Sequence, residues 1–223
     1  MKNLLSVLCL SLLAFASNVK AVTLLGNETL TGYADVFNLT SGTKGTPVLN
    51  SPWGVAAVKS TYSGGVLTLQ PNFNTYADNV NGSANDKAYW TDGAGGGNKW
   101  FEGSTFVQNA SFGGGGLTFE FAVNSYTLDS NYSVTAFVKS FDGGWGWNGM
   151  GTTAITGTGN YAVSYAATAG IVQYGFRVAG VNANPTQESA LGSVGVVGVP
   201  EPTALSLFSL AAAGALLARR RKA

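Results

Sequence analysis

The sequence predicts an all-β protein, a two-sheet antiparallel β-sandwich or jelly roll, flanked by an N-terminal signal-peptide helix and a C-terminal transmembrane helix. Three observations predict it. Apolar residues alternate with polar or small ones at a period of two in several separate runs, as in a strand with one face on a core. Glycine-rich clusters punctuate those runs at the spacing of hairpins and surface loops. The composition agrees: charged residues are only 10% of the chain, 31 residues are Gly, and Val, Thr and aromatics outnumber the helix formers Glu, Lys and Arg.

In chain order, Met1-Lys2-Asn3 forms a short positive segment and Leu4 to Ala16 an apolar run too short to span a bilayer. Residues 1–21 therefore read as a secretory signal peptide. Cleavage is expected after Ala21, at the end of Val19-Lys20-Ala21, with Ala14-Phe15-Ala16 as a second small-residue site. Cys9 lies inside the apolar run and would leave with the signal. Without it the chain has neither Cys nor His, which excludes disulfides, thiolate metal sites, a Cys nucleophile and every His-dependent triad. Carboxylate chemistry and binding of hard cations by oxygen remain.

Residues 22–184 are expected to form the sandwich. Val66 to Gln70 is a short strand stopped by Pro71. Leu117, Phe119, Phe121 and Val123 alternate with Thr118, Glu120 and Ala122, and Tyr161, Val163 and Tyr165 alternate with Ala162 and Ser164. From Ile171 to Ala179, Val172, Tyr174, Phe176 and Val178 take one face and Gln173, Gly175, Arg177 and Ala179 the other. Tyr132 to Phe141 is apolar on both faces, which makes it a strand that is central or near a second aromatic layer. The glycine clusters at 64–65, 93–97, 113–116 and 143–151 read as turns. Asp92-GAGGG-Asn98 lacks the Lys-Ser/Thr and the helix that a phosphate-binding loop requires. Residues 185–199, rich in small residues, read as a linker, with one final short strand before it as the alternative.

The tryptophans are placed unusually. Trp90, Trp100, Trp145 and Trp147 lie among Gly, Asn and Asp in YWTDGAGGGNKWFEG and FDGGWGWNGM. Loop tryptophans with amide and carboxylate neighbours can stack on sugar rings, so these four are the candidate glycan-binding residues; the alternative is that they cap the sandwich ends. Between Val22 and Gly198 there are six Lys/Arg against ten Asp/Glu, a net charge of −4, and no basic stripe, which excludes nucleic acid as a partner. Asp35, Asp78, Asp86, Asp92, Asp129 and Asp142 sit near turns; a structural Ca²⁺ is compatible with them, but no EF-hand spacing appears, so no cofactor and no metal-ligand set are assigned. Glu102 and Glu120 are the only glutamates placed for a carboxylate-pair glycosidase, and nothing marks them as a pair. No catalytic residue is assigned, and the chain is read as a non-enzyme.

The C-terminal end carries a second signal. Thr203 to Ala218 is a run of sixteen uncharged residues, followed by Arg219, Arg220, Arg221 and Lys222. Such a run can insert as a helix, and the cations hold the end in the cytoplasm. Pro200, Glu201 and Pro202 precede it, in an extended tripeptide whose prolines resist helix. This ordered triad resembles the PEP-CTERM sorting signal of Gram-negative bacteria, a tail also labelled the ice-binding protein C-terminal domain. The resemblance covers residues 200–223. It implies processing by signal peptidase and by an exosortase, a transient inner-membrane intermediate, delivery to the cell surface or extracellular matrix, and association with exopolysaccharide and biofilm. The middle of the chain looks like sandwiches related to carbohydrate-binding modules. The expected function is that of an exported, non-catalytic protein associating with exopolysaccharide. The alternatives are a structural surface protein without a specific ligand and a carboxylate-dependent glycosidase.

Overall fold

The computed structural model describes residues 19–24, 26, 28–77 and 88–199. The signal-peptide helix, the segment 203–218 and the tail Arg219–Lys222 lie outside the described residues, as do Pro200, Glu201 and Pro202. Among the described residues no helix is long and apolar enough to cross a membrane.

The described chain is almost entirely β. Its strands are β1 (Val19–Val22), β2 (Leu30–Thr40), β3 (Thr43–Trp53), β4 (Ser60–Ser63), β5 (Val66–Leu69), β6 (Lys99–Tyr126), β7 (Ser133–Phe141), β8 (Trp147–Ile155), β9 (Gly159–Val181) and β10 (Val194–Gly198). Two single-turn helices, α1 (Asn74–Ala77) and α2 (Glu188–Leu191), complete the list of longer elements. The pairings are antiparallel except for β1, which runs parallel to β6 from Val19 opposite Gly116 to Val22 opposite Phe119.

Two long strands make the architecture. β6 and β9 pair along almost their whole lengths, from Trp100 opposite Val181 to Val123 opposite Gly159, with a register shift between Asn109 and Phe112. At that break, Gly170 has φ 141°, and a Cβ there would strike the carbonyl oxygen of Phe141. A glycine is needed for the ribbon to turn so close to its neighbour. On one side of the turn, the first half of β6 and the second half of β9 sit in the order β3-β2-β6-β9-β7-β8. On the other, their remaining halves sit in the order β4-β5-β10-β6-β9, with β1 in line with β10 on the same edge of β6. One hydrogen-bonded sheet thus supplies two layers, the strands changing layer at a bend, and the fold is β-sandwich-like.

The aromatic contacts show the layers closing on each other. Phe119 and Phe121 from the second layer meet Tyr174 and Phe176 from the first, with ring centroids 4.8 to 5.3 Å apart. Phe119, Phe121 and Phe176 are essentially inaccessible, and burying each contributes about 2–3 kcal/mol. A smaller cluster, Ala34, Val36, Phe101, Val58 and Trp90, fills the space under β2, with Trp53 tilted against both Phe101 and Trp90.

One sequence expectation changes here. Residues 185–199 are not a linker, because β10 pairs with β5 on one side and β6 on the other and its Val194 and Val196 are 0% exposed. The sequence allows one final short strand ahead of a linker, but that strand occupies Val194–Gly198, with an alternation only three residues long and interrupted by glycine. On the other face of β9, Gln173, Gly175 and Ala179 are little exposed, lying among the side chains of β6 and β7 beside them, while Arg177 and Val181 are partly open. Cleavage after Ala21, the expected site, would remove three of the four residues of β1, and cleavage after Ala16, the second site, would leave it whole.

The end of β10 meets the segment that follows β1: the Val199 N–H donates to Thr23 Oγ1 at 3.0 Å, and Gly198 lies against the Leu24 carbonyl.

Candidate functional site

The face of the first layer turned away from the aromatic core is polar and charged. Register fixes its membership, since residues directly opposite in neighbouring strands share a face. Asp35 of β2 stands opposite Glu102 of β6, Tyr33 opposite Ser104, Ser104 opposite Arg177 of β9, and Gln108 opposite Gln173, which is in turn opposite Lys139 of β7.

Glu102 is the hub. Its carboxylate accepts from Lys44 Nζ at 2.8 Å, Arg177 at 3.2 Å and the Trp100 indole Nε1–H at 3.2 Å. The Glu102 side chain is 8% exposed, so three donors replace the water it has lost. Its neighbours are less well served. Burial raises the Asp35 carboxyl above its ordinary range, opposed by Lys139, Arg177 and Lys44 and reinforced by the Glu102 charge. Burial lowers the Lys139 ammonium, which Asp35 and Glu102 partly restore. Lys139 lies over the Phe137 ring at 4.3 Å and Lys44 over Phe37 at 3.9 Å. Phe106 and Phe137 close over Gly175, where a side chain would collide with the Thr105 carbonyl. The Ser104 hydroxyl, 1% exposed and on the same face, has no hydrogen-bond partner among the described residues.

The sign of the Asp35 shift sets a pH prediction. A carboxyl whose folded pKa lies above its unfolded value favours folding while protonated, and that contribution is lost as pH rises through the folded value. Asp35→Asn is therefore expected to melt above wild type at about pH 7 and together with it at about pH 3, below both values. Equal melting temperatures across that range would show that Asp35 bears no such cost.

Aromatics sit at both ends of this face. At one end Trp100, half-buried, lines a cleft of about 350 Å³ together with Asn131, Tyr132, Val181, Asn182 and Gln187, with Gly42 of the β2–β3 turn on its rim. Tyr132 is fixed there by donating to the Val181 carbonyl at 2.8 Å, and its hydroxyl is pushed up to about 12 by burial and then by Asp129. At the other end, Trp145 and Trp147 flank Phe141 with centroids 5.6 and 5.4 Å away and are 54% and 58% exposed. Because Val181 and Ile171 mark these two ends on β9, the separation along the strand is about 30 Å.

Of the four tryptophans singled out from sequence, three therefore belong to this face and one does not. Trp90 is 8% exposed and packs edge-on against Tyr89 and Trp53 in the smaller core, so it cannot present its ring to a sugar. Trp145 carries a further mark: its φ of 68° is a left-handed conformation that costs a non-glycine residue about 1–2 kcal/mol. Asp35, Lys44, Lys139 and Arg177 escaped sequence reasoning as a group, because only sheet register brings them together.

The acids do not gather into other sites. Asp92 accepts from the N–H groups of Ala94 and Gly96, and Asp142 from those of Gly144 and Gly146; the two glycine-rich turns repeat one geometry. Asp129 likewise accepts from Asn131. Among the described residues no three His, Cys, Asp or Glu side chains cluster as a metal site; Asp78 and Asp86 lie outside them. Glu120 is exposed on the outside of the second layer, far in register from Glu102, so those two glutamates do not form a pair.

No family model matches the chain, and no curated protein or solved structure shows significant similarity to it.

Proposed function

We propose that this chain is an exported, non-catalytic two-sheet sandwich that binds extracellular polysaccharide through the outer face of its first layer. The observation that supports this most directly is Trp100. Its ring borders a cleft of sugar-scale volume, its N–H is held by Glu102, and the amides of Asn131 and Gln187 stand around the same cleft. An aromatic platform with fixed polar groups beside it suits a pyranose, whose C–H face stacks while its hydroxyls hydrogen-bond.

The sorting reading belongs to the same proposal. A signal peptide, Pro200-Glu201-Pro202 and an apolar segment with a basic end imply export, transient residence in the inner membrane and processing by an exosortase. No cofactor is required.

The test is retention of the purified domain on a panel of immobilised polysaccharides and in affinity electrophoresis. Retardation by at least one polymer is expected. Uniform failure across acidic and neutral polymers would overturn the binding role and leave the structural-coat alternative.

One observation favours a second reading. Asp35 and Glu102 are register partners on adjacent strands, and the Asp35 proton is held unusually well, as in a general acid beside a second carboxylate. Against it, Glu102 is occupied by Lys44, Arg177 and Trp100. Release of reducing sugar that disappears in Asp35→Asn would establish the hydrolase.

A further inference from the structure

The same face says more about its ligand than that it is a glycan. Of the six cations between Val22 and Gly198, three converge here, although the domain as a whole carries a net −4. Lys44, Lys139 and Arg177 face two carboxylates, Asp35 and Glu102, so this face carries a positive balance beside its aromatics.

Two of these cations have capacity to spare. Arg177 commits one guanidinium nitrogen to Glu102, and its side chain remains 32% exposed. Lys139 makes no hydrogen bond or ion pair among the described residues; its direct contact is with the Phe137 ring, and its burial opposes its charge. Holding an ammonium on a half-buried face without a hydrogen-bonded counter-ion costs stability that Asp35 and Glu102 only partly offset, and an anion arriving from solvent would recover more of it. Lys44, 42% exposed, reaches in from the β2–β3 side next to the Trp100 cleft. The Ser104 hydroxyl lies under this charge with no partner.

We propose that the polysaccharide taken by this face is anionic, a polymer of carboxylate-bearing sugars, whose rings lie on Trp100 and Trp147 and whose carboxylates meet Lys44, Lys139 and Arg177. The inference rests on the glycan reading above and specifies its substrate class. The roughly 30 Å between the aromatic ends accommodates an oligosaccharide rather than a monosaccharide.

Affinity electrophoresis of the full chain tests this with four immobilised polymers: polygalacturonate, the same polymer after reduction of its carboxyls to alcohols, a neutral β-glucan, and polyglutamate. Retention on polygalacturonate is expected, weakened at least about tenfold by carboxyl reduction and progressively by salt. Lys139→Gln and Lys44→Gln are each expected to lower it several-fold, with melting temperatures at or above that of wild type for Lys139→Gln. Equal retention on native and reduced polymer would overturn the anionic preference while leaving glycan binding intact. Equal retention on polyglutamate would reduce the effect to ion exchange and overturn it too. Retention on none of the sugar polymers would remove both this inference and the reading beneath it.

Discussion

Replacing Val196 by aspartate should prevent the domain from folding, whereas the same change at Val197 should be tolerated. Val196 is 0% exposed on β10, between Leu67 of β5 and Val123 of β6, with its side chain in the main aromatic and aliphatic core. A carboxylate there has no cation within the cluster. It must either ionise unpaired or take up a proton and still leave a buried hydroxyl unsatisfied, at a cost of several kcal/mol. Since domains of this size are stable by about 5–15 kcal/mol in total, that loss is comparable with the whole. Val197 points to the other face and is only half-buried, so its change should cost about 1 kcal/mol or less. Thermal melting followed by circular dichroism distinguishes the two variants. A linker would accept both substitutions equally, and equal melting of both variants with wild type would therefore return residues 194–198 to that status.

This case shows what the sequence could and could not convey. β9 and the second half of β6 were legible because long alternation in Val172, Tyr174, Phe176 and Val178 and in Leu117, Phe119, Phe121 and Val123 leaves a single consistent core face. β10 was legible only as an alternative to spacer, because three buried positions and two glycines carry too little pattern to separate a short interior strand from small-residue spacer. The length of β6 was equally hidden. Phe112-GGGG-Leu117 has the composition of a hairpin loop, yet Gly113, Gly115 and Gly116 keep pairing with β9 as the strand crosses between layers. Glycine there serves close approach and bending rather than reversal of the chain.

The site was legible to a different degree. Exposure of Trp145 and Trp147 followed from their glycine-rich turn, whose geometry Asp142 sets by accepting two of its N–H groups. The same local composition misplaced Trp90: its neighbourhood resembles a loop, but the adjacent pairing of Thr91 with Gly97 and the Asn182 bond to the Trp90 carbonyl fold it inward. The charged group was invisible for a topological reason. Asp35, Glu102, Lys139 and Arg177 come from four strands spread over more than half of the described chain, and nothing in the local sequence links them: Asp35 reads as a turn acid, although it lies mid-strand in β2, and Glu102 is weighed only against Glu120.

A tryptophan series separates the binding role from the packing role with the largest contrast. Trp100→Ala is expected to abolish most polysaccharide retention, about 1–3 kcal/mol or roughly 10–100-fold in affinity, because an aromatic platform at a cleft is the kind of contact that dominates a binding face. Its indole also holds Glu102, so Trp100→Phe keeps the ring while losing the 3.2 Å hydrogen bond and should recover part of the affinity. At the far end, Trp147→Ala should weaken retention a few-fold and leave the melting temperature unchanged, since that side chain contributes little to the core. Trp145→Gly should weaken binding similarly while raising the melting temperature, because glycine accepts φ 68° without strain. Trp90→Ala should behave in the opposite way. Emptying the space against Trp53 and Tyr89 costs about 3–5 kcal/mol of stability, yet retention measured where the variant is still folded should match wild type. If Trp100→Ala and Trp147→Ala both bind as wild type does, the outer face of the first layer is not the polysaccharide site. If Trp90→Ala alone loses binding without losing stability, the inner cluster is not the packed core that its burial indicates.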